Sequence, residues 1–151
     1  MSSNLKIAWC ETRAAKYACK HWHYSRKLPA IPCPFGVWEN DKFIGAVIFS
    51  RGANNHIMKP YGLMQHEGCE LTRVALTHHE NSVTKIVSIC IKLLHARFPG
   101  LRLIVSYADP EQKHLGIIYQ AGNWIYSGKT EAQPEVLING KIVHKRSARE
   151  L

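Results

Sequence analysis

Apolar and polar positions along this chain fall into short runs whose spacing can be read one by one. Residues 5–10 (LKIAWC) read as a short strand. From residue 11 to about residue 23, Ala14, Ala15, Ala18 and Cys19 recur at helical spacing, and Pro29, Pro32 and Pro34 forbid continuation. Residues 35–39 and 43–50 are two apolar runs joined by Asn40-Asp41, which predicts a hairpin. Residues 51–68 have no period and many turn formers, so a long loop is expected, and long loops inside compact domains usually serve function.

ELTRVAL (70–76) is the next strand. Asn81 or Ser82 can cap a helix running to about residue 98, with Val83, Ile86, Val87, Cys90, Ile91 and Leu94 apolar. Pro99-Gly100 ends it, and LRLIVSY (101–107) has the near-continuous hydrophobicity of a buried central strand. Asp109-Pro110 supplies an N-cap and a first-turn proline for a helix to about Ala121. WIYSG (124–128) opens another strand, and VLI-Asn139-Gly140-KIV is a type I′ hairpin signal. This order predicts a single α/β domain over residues 1–151, with a mixed, centrally parallel sheet flanked by helices. In such sheets the site gathers at the C-terminal ends of the parallel strands, here residues 77–82 and 106–110, which should face one crevice.

Charge narrows the choice of partner. The 151 residues include 20 Lys+Arg and 11 Asp+Glu, a net charge of +9, with 46% hydrophobic and 21% charged residues. That composition excludes disorder, and the apolar runs fall short of the ~18 residues a membrane span requires. MSSNLKIAWCE lacks the build of a secretory signal, so a cytoplasmic protein with no membrane partner is expected. Five scattered cysteines without a CxxC pair read as reduced, mostly buried thiols. The basic excess is densest at the front: residues 1–30 carry six basic side chains and one acidic. Arg13, Lys16, Lys20, Arg26 and Lys27 interleave there with Trp22, His23 and Tyr24, which suits phosphate contact with base stacking. A second basic group, Lys145, Arg146 and Arg149, reads as a solvated, fraying end.

Four segments place polar or aromatic residues near predicted element ends. HWHYSR (21–26) carries two histidines, which alone read as surface residues rather than as a zinc site. In ELTR (70–73), alternation puts Glu70 and Thr72 on one face and Leu71 and Arg73 on the other, as a buried ion pair or a catalytic pair. SYADP (106–110) sets Asp109 at a strand end, where it can cap a helix or act as a general base or metal ligand. HLGIIYQ (114–120) adds His114 and Tyr119 around a costly helical glycine, Gly116. No GxGxxG, P-loop or GxSxG is present.

Taken together, HYSR (23–26), FGVWENDKFIGAVIFSRGA (35–53), ELTRVAL (70–76), NSVTK (81–85) and SYADPEQKHLGIIYQAGNWIYSG (106–128) resemble the Mom family of bacteriophage DNA-modification proteins. The resemblance spans about residues 20–128. It implies a fold like the GNAT acyltransferases and a host-cell cytoplasmic enzyme. The implied reaction adds a carbamoylmethyl (glycinamide-like) group to adenine N6 in double-stranded DNA, which then escapes host restriction. It carries catalytic roles to His23, Tyr24, Asp109 and Tyr119, and donor or cofactor binding to Arg73 and Ser82. It also implies iron, for which His23, Asp109 and His114 are the available ligands. Lys20, Trp22, Arg26 and Lys27 become the expected DNA contacts. The donor is open between acyl-CoA and a glycine-derived compound, and the oligomeric state, a homodimer included, is not fixed by the sequence.

One departure concerns the donor. GNAT enzymes hold the CoA pyrophosphate on a glycine-containing loop after the strand that corresponds to ELTRVAL. Here that loop is Thr77-His78-His79-Glu80-Asn81-Ser82, without glycine. A helix N-terminus still offers N–H groups to an anion, but the close approach that glycine permits is lost. Two alternatives stand beside it: the GNAT-like fold that the resemblance implies also suits acyl transfer to a different amine, and the basic charge suits DNA binding without catalysis. If the front of the chain grips phosphates, charge reversal at Lys20, Arg26 and Lys27 should weaken DNA binding. The salt slope should fall by about 0.9 per lost phosphate contact. Affinities measured over a salt series test this, and an unchanged slope would assign the charge to solubility.

Overall fold

The first apolar run forms strand β1, Leu5–Trp9, and the alanine-rich segment after it forms helix α1, Thr12–Trp22. The computed structural model describes residues 4–30, 32–51, 58–107, 124, 127–128, 135–138, 141–144 and 146–150. Two compact units divide the chain: Met1–Ser50 with Leu71–Leu94, and Arg51–Glu70 with His95–Leu151. They interleave along the sequence, so neither is one continuous stretch.

In the first unit the hairpin expected at Asn40-Asp41 joins β2, Cys33–Glu39, to β3, Lys42–Ser50. Both turn residues have positive φ, 51° and 66°, the backbone of a type I′ connection whose twist matches that of the strands. Asn40 also pairs with Asn4, donating its N–H to the Asn4 carbonyl at 2.9 Å and accepting the Asn4 N–H on Oδ1 at 3.0 Å. β1 runs antiparallel to β2, and β2 to β3, with β4 (Gly68–Leu76) next in order. Helix α1 lays Ala15, Ala18 and Cys19 on Ala46, Ile48 and Ala75, with Cys10, Trp22, Leu28 and Phe43 around the patch. Small residues on both sides let helix and sheet approach closely. Helix α2, Val83–Arg97, buries Ile86, Val87, Cys90, Ile91 and Leu94, a single stripe at helical spacing.

In the second unit the long loop expected over residues 51–68 contains two short 3₁₀ turns, Lys59–Tyr61 and Gln65–Glu67, among its described residues. Met58 and Tyr61 are buried, and Arg102 donates its N–H to the Glu67 carbonyl at 2.7 Å. β5, Leu103–Tyr107, has Leu103, Ile104, Val105 and Ser106 buried, as its apolar run predicted. A separate three-stranded sheet holds β6 (Ser127–Gly128), β7 (Glu135–Ile138) and β8 (Lys141–His144). Ile138 stands opposite Lys141, the register that the Asn139-Gly140 signal predicts. The helix expected over residues 109–121 lies outside the described residues.

The C-terminal end corrects the expectation of a fraying tail. Arg146–Glu150 forms β9, antiparallel to β5 from Tyr107↔Arg146 to Leu103↔Glu150. Charged side chains favour solvent, but the backbone N–H and C=O groups of a strand edge still need partners, and pairing satisfies both. Among the described residues no helix is long and apolar enough to cross a membrane.

The packing of β3 beside β4 in the first unit depends on Gly45. Its φ is 143°, and a Cβ there would lie 2.0 Å from the Ala75 carbonyl oxygen. Backbone strain and a main-chain clash add, so Gly45→Ala should cost about 3 kcal/mol or more. Thermal denaturation should show Tm lowered by roughly 10 °C.

Candidate functional site

The end of α1 builds the first half of the site. His23 is the C-cap, and its N–H reaches the Cys19 carbonyl at 3.2 Å, closing the last turn. The chain then reverses: Arg26 donates its N–H to the His23 carbonyl at 3.1 Å and adopts φ 54°, a left-handed conformation that costs a side-chain-bearing residue about 1 kcal/mol. His23 Nδ1 lies 2.7 Å from Ser25 Oγ and accepts the Ser25 N–H at 3.1 Å. A main-chain N–H only donates, so Nδ1 is an acceptor and the ring proton belongs on Nε2. The Tyr24 ring, 49% exposed, stacks on His23 at 4.4 Å.

Arg73 fastens this turn to the sheet. From β4 its Nε donates to the Lys27 carbonyl at 3.2 Å and its Nη1 to the Thr72 carbonyl at 2.9 Å. Two segments far apart in sequence, HYSRK and ELTR, are thereby brought together. In these bonds the guanidinium holds main chain. Beside it, the Ser50 and Thr72 hydroxyls are hydrogen-bonded to each other.

The loop between β4 and α2 is held by a residue that the sequence reading passed over. Glu39, the last residue of β2, is 6% exposed. Its carboxylate accepts the Glu80 N–H on both oxygens, at 2.9 and 3.1 Å. The Asn81 N–H and the Asn81 side-chain amide both donate to Oε2 at 2.7 Å. Asn81 Oδ1 accepts Lys85 Nζ at 3.3 Å, and its carbonyl accepts the His79 Nδ1–H at 2.6 Å. Burial alone would raise the Glu39 pKa, but the Asn81 and Glu80 donors, with the charge of His79, outweigh it and lower the value. A buried acidic side chain at the end of an apolar strand, beside a turn, was the available signal.

The remaining expected residues are placed as follows. Ser82 accepts the Lys85 N–H on Oγ at 3.2 Å, the bond of an N-cap. Lys20, Arg26 and Lys27 are exposed, and Trp22 is half-buried, 6.0 Å from the Phe43 ring. Asp109, His114 and Tyr119 lie outside the described residues. For iron, His23 is the described ligand candidate, and its Nδ1 has the wrong polarity. A metal-bound imidazole donates its second ring N–H, whereas this nitrogen accepts one. His23 as placed does not fit that role. Among the described residues no group of three or more His, Cys, Asp and Glu is arranged to hold a metal. None of the five cysteines is in a disulfide, and three of them are buried. Burial, with the Glu11 charge, pushes the Cys10 thiol up to about 11, and burial raises Cys19 and Cys90. None of these three is a ready thiolate nucleophile.

A lowered carboxylate pKa stabilises the fold with a defined pH sign. The Glu39 contribution is complete above the ordinary carboxylate range and is lost as pH falls through its lowered folded value. Glu39→Gln should cost about 2 kcal/mol at neutral pH, as expected for hydrogen bonds to a charged group, and flatten the acid limb of the stability curve. Urea denaturation over a pH series measures both.

Comparison with known proteins agrees with this architecture. Over its whole length the chain matches the crystal structure of an acetyltransferase from Thermus thermophilus, with a TM-score of 0.54, 15% identity and 100% coverage of both chains. It also matches a spermidine N-acetyltransferase from Vibrio cholerae, solved in complex with CoA and spermine. That TM-score is 0.54 at 15% identity, over 97% of this chain and 95% of the other. At such identities the likeness shows the fold alone, the GNAT-like α/β fold that the sequence implied. Comparison with curated proteins finds no match. The model of the Mom protein family, by contrast, matches residues 4–151, and the chain belongs to that family.

Proposed function

We propose that this protein is a DNA-modifying transferase that places a carbamoylmethyl group on adenine N6 and so shields phage DNA from host restriction. Family membership and the acyltransferase-like fold support the reading. The observation that carries it is the bond from Arg73 to the Lys27 carbonyl, which fixes the basic, aromatic turn at the end of α1 against β4.

The outer face of α1 suits a polyanion. Arg13, Lys16, Tyr17, Lys20 and His21 are all exposed and recur at the three- and four-residue spacing of one helical stripe. Tyr17 and His21 have ring centroids 4.2 Å apart. Such a face offers cations to phosphates and rings to sugars or bases. Arg26 and Lys27 continue it past the helix end.

Adenine N6 is a weak nucleophile because its lone pair is delocalised into the ring, and in a duplex it is also paired and stacked. Exposing the base costs a few kcal/mol, which stacking on the half-exposed Tyr24 ring offsets in part. The His23 Nε2–H, fixed by the acceptor role of Nδ1, is a hydrogen-bond donor for the base or for the donor group. Asp109 orients N6 and takes its proton as the N6–carbon bond forms. Tyr119 or Tyr24 supplies a proton to the departing group. A strained turn at Arg26 keeps His23 and Tyr24 pre-positioned, which matters because small misplacements cost large factors in rate.

The fold likeness favours one second reading, acyl transfer to a different amine, and a DNA-binding module without catalysis is the third. Expression in a bacterial host followed by mass spectrometry of digested DNA separates them. Modified deoxyadenosine is expected with the wild type, and background levels with Asp109→Ala. Arg73→Gln, which frees the turn, should lower the yield about a hundred-fold. Unmodified DNA from a folded, well-expressed protein would overturn the reading. Salt-dependent DNA binding without product would favour the third.

A further inference from the structure

We propose that Glu39 is a specificity-determining residue that closes the amide cradle ahead of α2 to diphosphates, so that the transferred group is not delivered on a CoA-type carrier docked there. A loop leading into a helix holds phosphates by turning main-chain N–H groups toward them. In this chain the N–H groups of Glu80 and Asn81 already point at a buried carboxylate, with the Asn81 side-chain amide as a third donor. The cradle is built for an anion, and the anion is part of the protein.

Displacement by a diphosphate meets three obstacles. First, Glu39 sits in paired backbone, opposite Leu5 on one side and Lys42 on the other, so its main chain cannot swing away without unzipping β2. A displaced carboxylate would stay within reach of the incoming phosphates as a like charge. Second, the loop has no glycine, so Cβ atoms limit how closely a phosphate can approach its backbone. Third, the loop is braced from behind: His79 Nδ1 binds the Asn81 carbonyl, and Lys85 Nζ binds Asn81 Oδ1. The lysine that could have met a phosphate instead completes the bracing of Asn81. The same carboxylate pairing lowers the pKa of Glu39, so the cradle stays occupied by a charged group at neutral pH. A donor for this protein is therefore a compound that makes no diphosphate contact with residues 80 and 81.

The inference holds whichever amine is modified, so unmodified DNA would not bear on it. The test uses the full ¹⁵N-labelled chain titrated with inorganic pyrophosphate, CoA and pantetheine, which lacks the diphosphate. In the wild type the Glu80 and Asn81 amide resonances should stay still with all three. In Glu39→Ala and Glu39→Gln they should move saturably with pyrophosphate, and its affinity should rise about ten-fold once the internal charge is gone. Saturable movement of these two amides in the wild type with CoA but not with pantetheine would overturn the proposal. So would a Glu39→Ala protein that keeps its circular dichroism yet gains no pyrophosphate affinity. If neither variant folds, the wild-type titration decides alone: still amides support the proposal and moving ones refute it.

Discussion

A buried carboxylate must find donors or give up its charge, and in the first unit of this protein Glu39 resolves that demand by capturing the loop ahead of α2. Leaving water would cost a lone carboxylate several kcal/mol, more than most single contacts return. Three donors from Glu80 and Asn81 reverse the balance, as the lowered pKa records. Because Glu39 is held in register by both neighbouring strands, it acts as a fixed point. The loop's position follows from it, and with the loop the place where α2 starts. Ser82 then caps the helix, and the stripe from Ile86 to Leu94 is set facing inward. One long-range polar contact thus does what a glycine-rich phosphate loop does in other settings, with the ligand built in.

The turn after α1 obeys a related logic. Three prolines forbid the helix from continuing, so the chain must reverse at residues 23–27, and the reversal forces Arg26 into a left-handed backbone. That strain is held by local bonds, His23 to Ser25 and Arg26 to His23, and by one distant bond, Arg73 to Lys27. Two of the five donors of Arg73 hold main chain.

Local pattern carried much of the fold. Both turn residues of the first hairpin, the α1 alanine face and the α2 stripe are legible because each depends on neighbours within a few residues. Two features were not. Strand β9 is polar by composition, and only the open edge of β5 gives it a reason to pair. Glu39 looks like an ordinary strand-end acid until Asn81, 42 residues away, is beside it. The Ser82 cap, by contrast, is legible from local sequence, and Ser82 makes that bond. The site was legible in a different way. HYSR and ELTR stand out as polar clusters near element ends, but periodicity does not say that Arg73 reaches the Lys27 carbonyl. Asp109 and Tyr119 rest on the family pattern.

Sharing a fold with acetyltransferases and sharing their carrier are separate physical matters. The fold of this chain rests on its strand order, the α1 face and the α2 stripe, and it matches its structural relatives at only 15% identity. Carrier binding depends on a few unsatisfied N–H groups at one loop, and a single carboxylate is enough to satisfy them from within. Once that has happened, the scaffold retains its helix, cap and sheet but no longer offers the same anion site. Glu39 satisfies the loop internally and so removes the need for glycine at residues 77–82, where side chains such as His79 and Asn81 can then brace the backbone. The glycine-free loop and the buried glutamate therefore belong together: the anion that the Glu80 and Asn81 N–H groups meet is internal.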